Sequence, residues 1–125
     1  MKFDVAVIGG GPAGLSSGIF TSRAGLNTIC FEKLAIGGQA ALSYEIKNYP
    51  AFKSISGFEL TQNMFMQAKD CGVNFVFENI KSVNKTKTGF SLKTKTNSYF
   101  AKQLIIACGT VSRKLGLDAF SFYHF

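Results

Sequence analysis

The chain has 125 residues, 14 Lys and Arg against 7 Asp and Glu (formal net charge +7), and 46% hydrophobic residues. That length fits one domain, the apolar fraction argues against wholesale disorder, and no apolar run approaches the roughly 18 residues of a membrane span. The opening Met1-Lys2-Phe3-Asp4 puts a charge where a secretory signal would be apolar, so a cytoplasmic location is expected.

In chain order, residues 3–8 (FDVAVI) are apolar and β-branched and end at glycine, the profile of a buried parallel strand. Gly9-Gly10-Gly11 comes next, and Pro12 opens a predicted helix over 12–24, where a missing first-turn N–H costs nothing. Leu15 and Ile19 share one face of that helix. Gly14 and Gly18 make a smooth patch for close packing, and Gly25 is a C-terminal stop. A second strand is expected at 28–32, ending on Glu32. Residues 33–55 have no regular pattern. Ser56 predicts an N-cap, with Glu59 as capping-box partner, for a helix over 57–71 whose apolar stripe is Leu60, Met64, Phe65, Ala68 and Cys71. A third strand is expected at 73–77. Alternating short runs predict an antiparallel meander at about 80–101, covering the other side of the sheet, and a fourth core strand at 103–107. The first strand should lie between the second and the fourth, in keeping with right-handed crossovers.

The charge excess is concentrated in Lys81, Lys85, Lys87, Lys93, Lys95 and Lys102, with no acid between them. Lysines along a β-edge discourage edge-to-edge pairing, and the chain has only two Arg, the usual readers of phosphate and base edges. A solvated edge is therefore expected and no nucleic-acid partner. Cys30, Cys71 and Cys108 are far apart and form no Cys-x-x-Cys, so neither a metal site nor a redox dithiol is expected; all three read as buried, unreactive thiols.

The chemistry lies in Gly9-x-Gly11-x-x-Gly14, set between a predicted strand and a predicted helix. Gly9 permits a tight turn, Gly11 lets backbone approach a pyrophosphate, and Gly14 permits close helix–strand packing. The pyrophosphate would sit on the free N–H groups and positive end of the helix. Glu32 ends the next strand, where a carboxylate accepts from both hydroxyls of an adenosine ribose and repels a 2′-phosphate.

The stretch Val7-Ile8-Gly9-Gly10-Gly11-Pro12-Ala13-Gly14-Leu15 resembles the FAD fingerprint of flavoproteins with two dinucleotide-binding domains. With Gly37-Gly38-Gln39, Ile46-Lys47-Asn48-Tyr49-Pro50 and Ile55-Ser56-Gly57-Phe58-Glu59-Leu60, it resembles the N-terminal FAD segment of bacterial thioredoxin reductases. Ile106-Ala107-Cys108-Gly109-Thr110 stands where that family has a second FAD motif, and Arg113-Lys114-Leu115-Gly116 resembles the family's next stretch. Cys108 replaces the usual threonine, and Ala51 the usual glycine after Asn-Tyr-Pro.

The resemblance implies an α/β fold: a Rossmann-like FAD-binding domain of parallel sheet, flanking helices and β-meander, present only in part. Gly9, Gly11, Pro12, Ala13 and Gly14 would hold the FAD pyrophosphate. Glu32 and Lys33 would meet the adenosine ribose, Gly38 and Gln39 the ribityl and flavin side, and Asn48 the isoalloxazine region. Backbone near Val83, with Ala107 and Gly109, would pack on adenine and pyrophosphate. Residues 1–116 would form the N-terminal part of the FAD domain, and 117–125 an aromatic tail foreign to the family. The family's NADP-binding domain with its Cys-x-x-Cys, and the returning segment that completes the FAD domain, are expected to be absent. The chain alone is therefore expected to lack turnover and to contribute no catalytic residue. A full-length form would pass electrons from NADPH through FAD to a disulfide and on to thioredoxin, with a homodimer compatible. Two alternatives stay open: a ferredoxin–NADP reductase of the same architecture, and a non-catalytic nucleotide-binding remnant.

Overall fold

The computed structural model describes residues 1–113; the tail at 117–125 and the stretch at 114–116 lie outside the described residues. The strands are β1 (Lys2–Ile8), β2 (Thr28–Phe31), β3 (Asn74–Val76), β4 (Ser82–Lys85), β5 (Phe90–Lys93) and β6 (Ser98–Ile106). Helices α1 (Pro12–Arg23) and α2 (Gly57–Asp70) alternate with the first three, and a short 3-10 helix spans Gly38–Leu42. Among the described residues one six-stranded sheet forms, in the order β3-β2-β1-β6-β5-β4. β1 is parallel to β2 on one side and to β6 on the other. It is therefore an inner strand, as expected.

Alternation along the strands sorts side chains onto two faces. Val5, Val7 and Cys30 join Leu15 and Ile19 of α1 and Leu60, Met64 and Ala68 of α2 in one core. Ala6, Ile29 and Phe31 point the other way and form a second core with Leu92, Tyr99 and Ala101 of the meander. Phe31 and Tyr99 meet edge to face at 5.0 Å between ring centres. Both faces of β1 and β2 are thus covered, which is why they read as continuous apolar runs.

The helix signals act as expected. Pro12 is in the first turn of α1, and Gly14, Leu15, Gly18 and Ile19 form its buried side. Ser56 Oγ accepts from the Glu59 N–H at 3.1 Å, one half of the capping box at the start of α2. Thr61, absent from the predicted stripe, is fully buried because its hydroxyl donates to the Gly57 carbonyl one turn back, at 2.9 Å.

Two expectations are corrected. The runs at 98–101 and 103–107 are one nine-residue strand, not two elements. Lys102 and Gln103 suggest a break, yet Lys102 Nζ reaches Asp4 Oδ1 across the ladder at 2.8 Å, so the polar step stays within the strand. β5 pairs with the 98–101 half of β6 alone; the other half has β1 as its sole partner among the described residues, and Ile106 is 73% exposed. The thiols also differ from expectation. Cys30 is buried, but Cys71 is half-buried and Cys108 exposed, because residue 108 lies beyond the last paired residue of β6.

Ala51 has a left-handed backbone, φ 79°, in the turn after Pro50. This is the position where the sequence resemblance leads one to expect glycine. An L-residue there is disfavoured by about 1–2 kcal/mol, partly offset by the roughly 0.4–1 kcal/mol that glycine loses through a freer unfolded chain. Ala51→Gly should therefore stabilise the fold by about 0.5 kcal/mol. The check is a higher urea midpoint at unchanged denaturant slope.

Candidate nucleotide-binding site

The carboxyl ends of β1, β2 and β6 lie side by side, and the chain leaves β1 towards β2 through α1 while β6 returns on its other side. That reversal opens a crevice at the strand ends, where doubly wound sheets bind ligands. The loop of residues 9–11 lies at this point. Gly9 N–H donates to the Phe31 carbonyl at 2.8 Å, and Ala107 N–H donates to the Ile8 carbonyl at 2.8 Å. The loop is therefore held between β2 and β6.

The three motif glycines differ in what they need. A Cβ on Gly9 would lie 2.2 Å from the Ala107 carbonyl oxygen, and one on Gly14 would lie 1.8 Å from the Gly9 carbonyl oxygen. Both are required by backbone packed against backbone. Gly11 is not. Its φ is −79°, open to any residue, and a Cβ there would find nothing nearer than the Gly38 Cα at 3.9 Å. No contact among the described residues asks for glycine at this position. The space suits a group that comes close to the backbone from outside.

Gly11 is the N-cap of α1, with no side-chain cap and no acid in the first turn. The first intrahelical bond runs from Leu15 N–H to the Gly11 carbonyl at 2.9 Å. The N–H groups of Gly11, Ala13 and Gly14 consequently have no partner among the described residues. Uncapped donors at the positive end of a helix form an anion cradle.

Glu32 stands directly beside this cradle. Its Oε2 accepts from Gly10 N–H and its Oε1 from Leu34 N–H, each at 2.8 Å. Gly10 occupies one of the free positions of the motif, which assigns it no role. It is nevertheless buried, and its carbonyl accepts from Gly37 N–H at 2.8 Å. Its signal in the sequence is a third glycine where the pattern demands only two. Gly37 rests on α2, with Thr61 Oγ1 2.5 Å from where its Cβ would be. The 3-10 segment is thereby fixed over the loop, and Gly38 comes against Gly11.

The structure thus gathers Gly9, Gly11, Pro12, Ala13, Gly14, Glu32, Gly38 and Ala107 around one crevice. Lys33 and Gln39 are exposed neighbours of Glu32 and Gly38, and Gly109 is exposed beyond the end of β6. Asn48 is exposed between the bridged residues Ile46 and Ile55 and makes no hydrogen bond among the described residues. Val83 is paired with Leu92 in β4, at the edge of the sheet and three strands from β1. Burial, with the nearby Glu32 charge adding to it, pushes the Cys30 thiol up to about 12, so this residue beneath the loop stays protonated. Its thiol is directed at the Gly9 carbonyl. Among the described residues no group of three or more His, Cys, Asp or Glu could hold a metal, and no helix is long and apolar enough to cross a membrane.

Residues 3–125 match the sequence profile of the pyridine nucleotide-disulphide oxidoreductases. The chain belongs to this family. It is similar to the thioredoxin reductase of Bacillus subtilis, at 40% identity over 115 residues, covering 92% of this chain and 36% of that protein. The thioredoxin reductase of Treponema pallidum is 39% identical over 116 residues, covering 92% and 38%. Among solved structures, thioredoxin reductase from Lactococcus lactis superposes with a TM-score of 0.88 at 31% identity, over 92% of this chain and 38% of that one. The T. acidophilum enzyme gives 0.87 at 33%, over 93% and 38%. The chain therefore spans little more than a third of the length of these relatives. The likeness to thioredoxin reductases expected from the motifs is borne out, as is the Rossmann-like fold. Members of this family are FAD-binding flavoproteins.

Proposed function

We propose that the crevice holds the ADP half of FAD, with the pyrophosphate on the N–H groups of Gly11, Ala13 and Gly14. The observation that carries this is the contrast within the motif: Gly9 and Gly14 are demanded by packing, whereas Gly11 is demanded by nothing among the described residues. Glu32 is at the adjoining strand end, where its remaining lone pairs accept from the two ribose hydroxyls. Lys33 borders that ribose. Gly38 and Gln39 line the side towards the ribityl chain, and Asn48 the path towards the isoalloxazine. Ala107 and Gly109 close the pyrophosphate side, and the Val83 backbone belongs to the adenine side. On this reading residues 1–116 belong to the N-terminal part of the FAD domain.

When bound, the flavin supplies the hydride chemistry that links a nicotinamide donor to a disulfide acceptor. The chain's own part is to orient the dinucleotide and to keep donors aimed at its charge. In a whole protein of the relatives' length, the reading is a thioredoxin-disulfide reductase of the cytoplasm, fed by NADPH. This chain's described residues offer no paired thiols for the disulfide step.

The test uses two small ligands. ADP should bind the chain, and its 2′-phosphorylated counterpart should bind at least about tenfold more weakly, since a phosphate set against Glu32 meets like charge. Calorimetric titration of both reads the ratio. Equal affinity, or no ADP binding, would remove the site.

A further inference from the structure

We infer that Glu32 is a positioning residue, whose carboxylate holds the glycine loop and the Gly37-Gly38 turn as one assembled cradle before any ligand arrives. This deepens the cofactor reading and rests on it only for the anion-binding part of its test. Glu32 already makes two bonds within the chain. Both partners, Gly10 and Leu34, present N–H donors, one to each carboxylate oxygen. The Gly10 bond fixes the peptide between Gly9 and Gly10. The next peptide is fixed through its carbonyl, which accepts from Gly37 N–H. In a trans peptide the N–H points opposite to the C=O, so this bond turns the Gly11 N–H away from Gly37. Successive peptides of the loop are thus oriented by Glu32 and by Gly37, and the second is supported in turn by α2.

Space around Gly10 is tight. A Cβ there would lie 2.8 Å from Ile36 Cδ1 and 3.1 Å from Glu32 Cβ. Glu32, Gly10 and the segment leading to Gly37 are therefore packed together as well as hydrogen-bonded. A carboxylate is the fitting group because it offers two acceptors and no donor. Glutamine offers one acceptor and an NH₂, which would face a backbone N–H. Ribose hydroxyls both donate and accept, so glutamine remains able to bind them. Glu32→Gln consequently separates the two roles of the residue.

Charge gives the separation a sign. A carboxylate beside an anion site opposes anion binding, so electrostatics alone predicts that Glu32→Gln tightens inorganic pyrophosphate. Loss of the assembled loop predicts the reverse. The experiment takes the full ¹⁵N-labelled chain and measures amide exchange without ligand, then titrates with inorganic pyrophosphate. The decisive amide is Gly37, which Glu32 does not touch. In Glu32→Gln its exchange should rise at least about tenfold, the factor matching one lost hydrogen bond to a charged group. Amides in the middle of α2 should be unchanged, and pyrophosphate should bind more weakly, read at Ala13 and Gly14. The proposal is overturned if Gly10 and Leu34 alone exchange faster, or if the variant binds pyrophosphate as well as the parent or better. If α2 also opens, Glu32→Asp takes the place of the first variant. It keeps the charge and both acceptors but is one methylene short, and faster Gly37 exchange is again required. A parent chain that ignores pyrophosphate would sink the cofactor reading, and Gly37 exchange would still decide the role of Glu32.

Discussion

Gly14→Ala should destabilise the chain by more than about 3 kcal/mol, the upper range for inserting a methyl group into a packed interior. The added carbon would lie 1.8 Å from the Gly9 carbonyl oxygen and 3.4 Å from Val7 Cγ1. Gly9 cannot move aside, because it is bonded to Phe31 and packed on Ala107. α1 would have to lift from β1, opening the core where Leu15 and Ile19 meet Val5 and Val7. Single domains have only about 5–15 kcal/mol of net stability, so a large part would be lost. Urea denaturation followed by far-ultraviolet circular dichroism checks this. An unchanged midpoint would mean that helix and strand are not in the contact described.

Much of the fold is legible in the sequence because parallel strands buried on both faces leave a strong signal. Residues 3–8 and 28–32 are largely apolar runs, and their ends are marked by Gly9 and Glu32. The helices are bounded by groups with a mechanical reason to be there: Pro12 and Gly25 for α1, and Ser56 for α2 with Gly72, left-handed at φ 92°, just past its C-cap. β6 reads as two elements because its first half alternates and its second half is a continuous apolar run. Its first half lies against β5 and its second half, among the described residues, against β1 alone with Gln103 and Ile106 exposed, so its pattern changes midway along one strand. The exposure of Cys108 is hidden for a related reason: the last residues of an apolar run can extend past the ladder.

In the site, the motif discloses which residues meet the crevice but not how they support one another. Gly10 is the instance. Its role comes from two backbone groups, an N–H to Glu32 and a C=O from which Gly37 hangs, and backbone bonding has no residue code. The position of Asn48 and Val83 relative to the loop depends on long connections, which spacing in sequence does not fix. The same limit explains why Ala51 is unusual in the sequence but not visibly strained there. The strain is a φ value, which exists only once the turn has been built.

Gly11→Val should abolish nucleotide binding while the fold survives. The structural cost is small, since the nearest atom to a Cβ at this position is 3.9 Å away and the backbone is already extended. Valine is a poor N-cap, so a loss of about 1 kcal/mol is expected. The branched side chain would project where the pyrophosphate must approach the N–H groups of Gly11, Ala13 and Gly14. Each lost hydrogen bond to a charged group costs about 1.5–3 kcal/mol, so two of them weaken binding by at least about 100-fold. The measurement pairs ADP calorimetry with a urea midpoint on the same preparation. Binding retained within a few-fold of the parent would place the anion elsewhere, whatever the stability shows. Binding lost together with the fold would make Gly11 a packing residue like Gly14. Only the split result, an intact fold with no ADP bound, matches a glycine whose empty space is kept for the ligand.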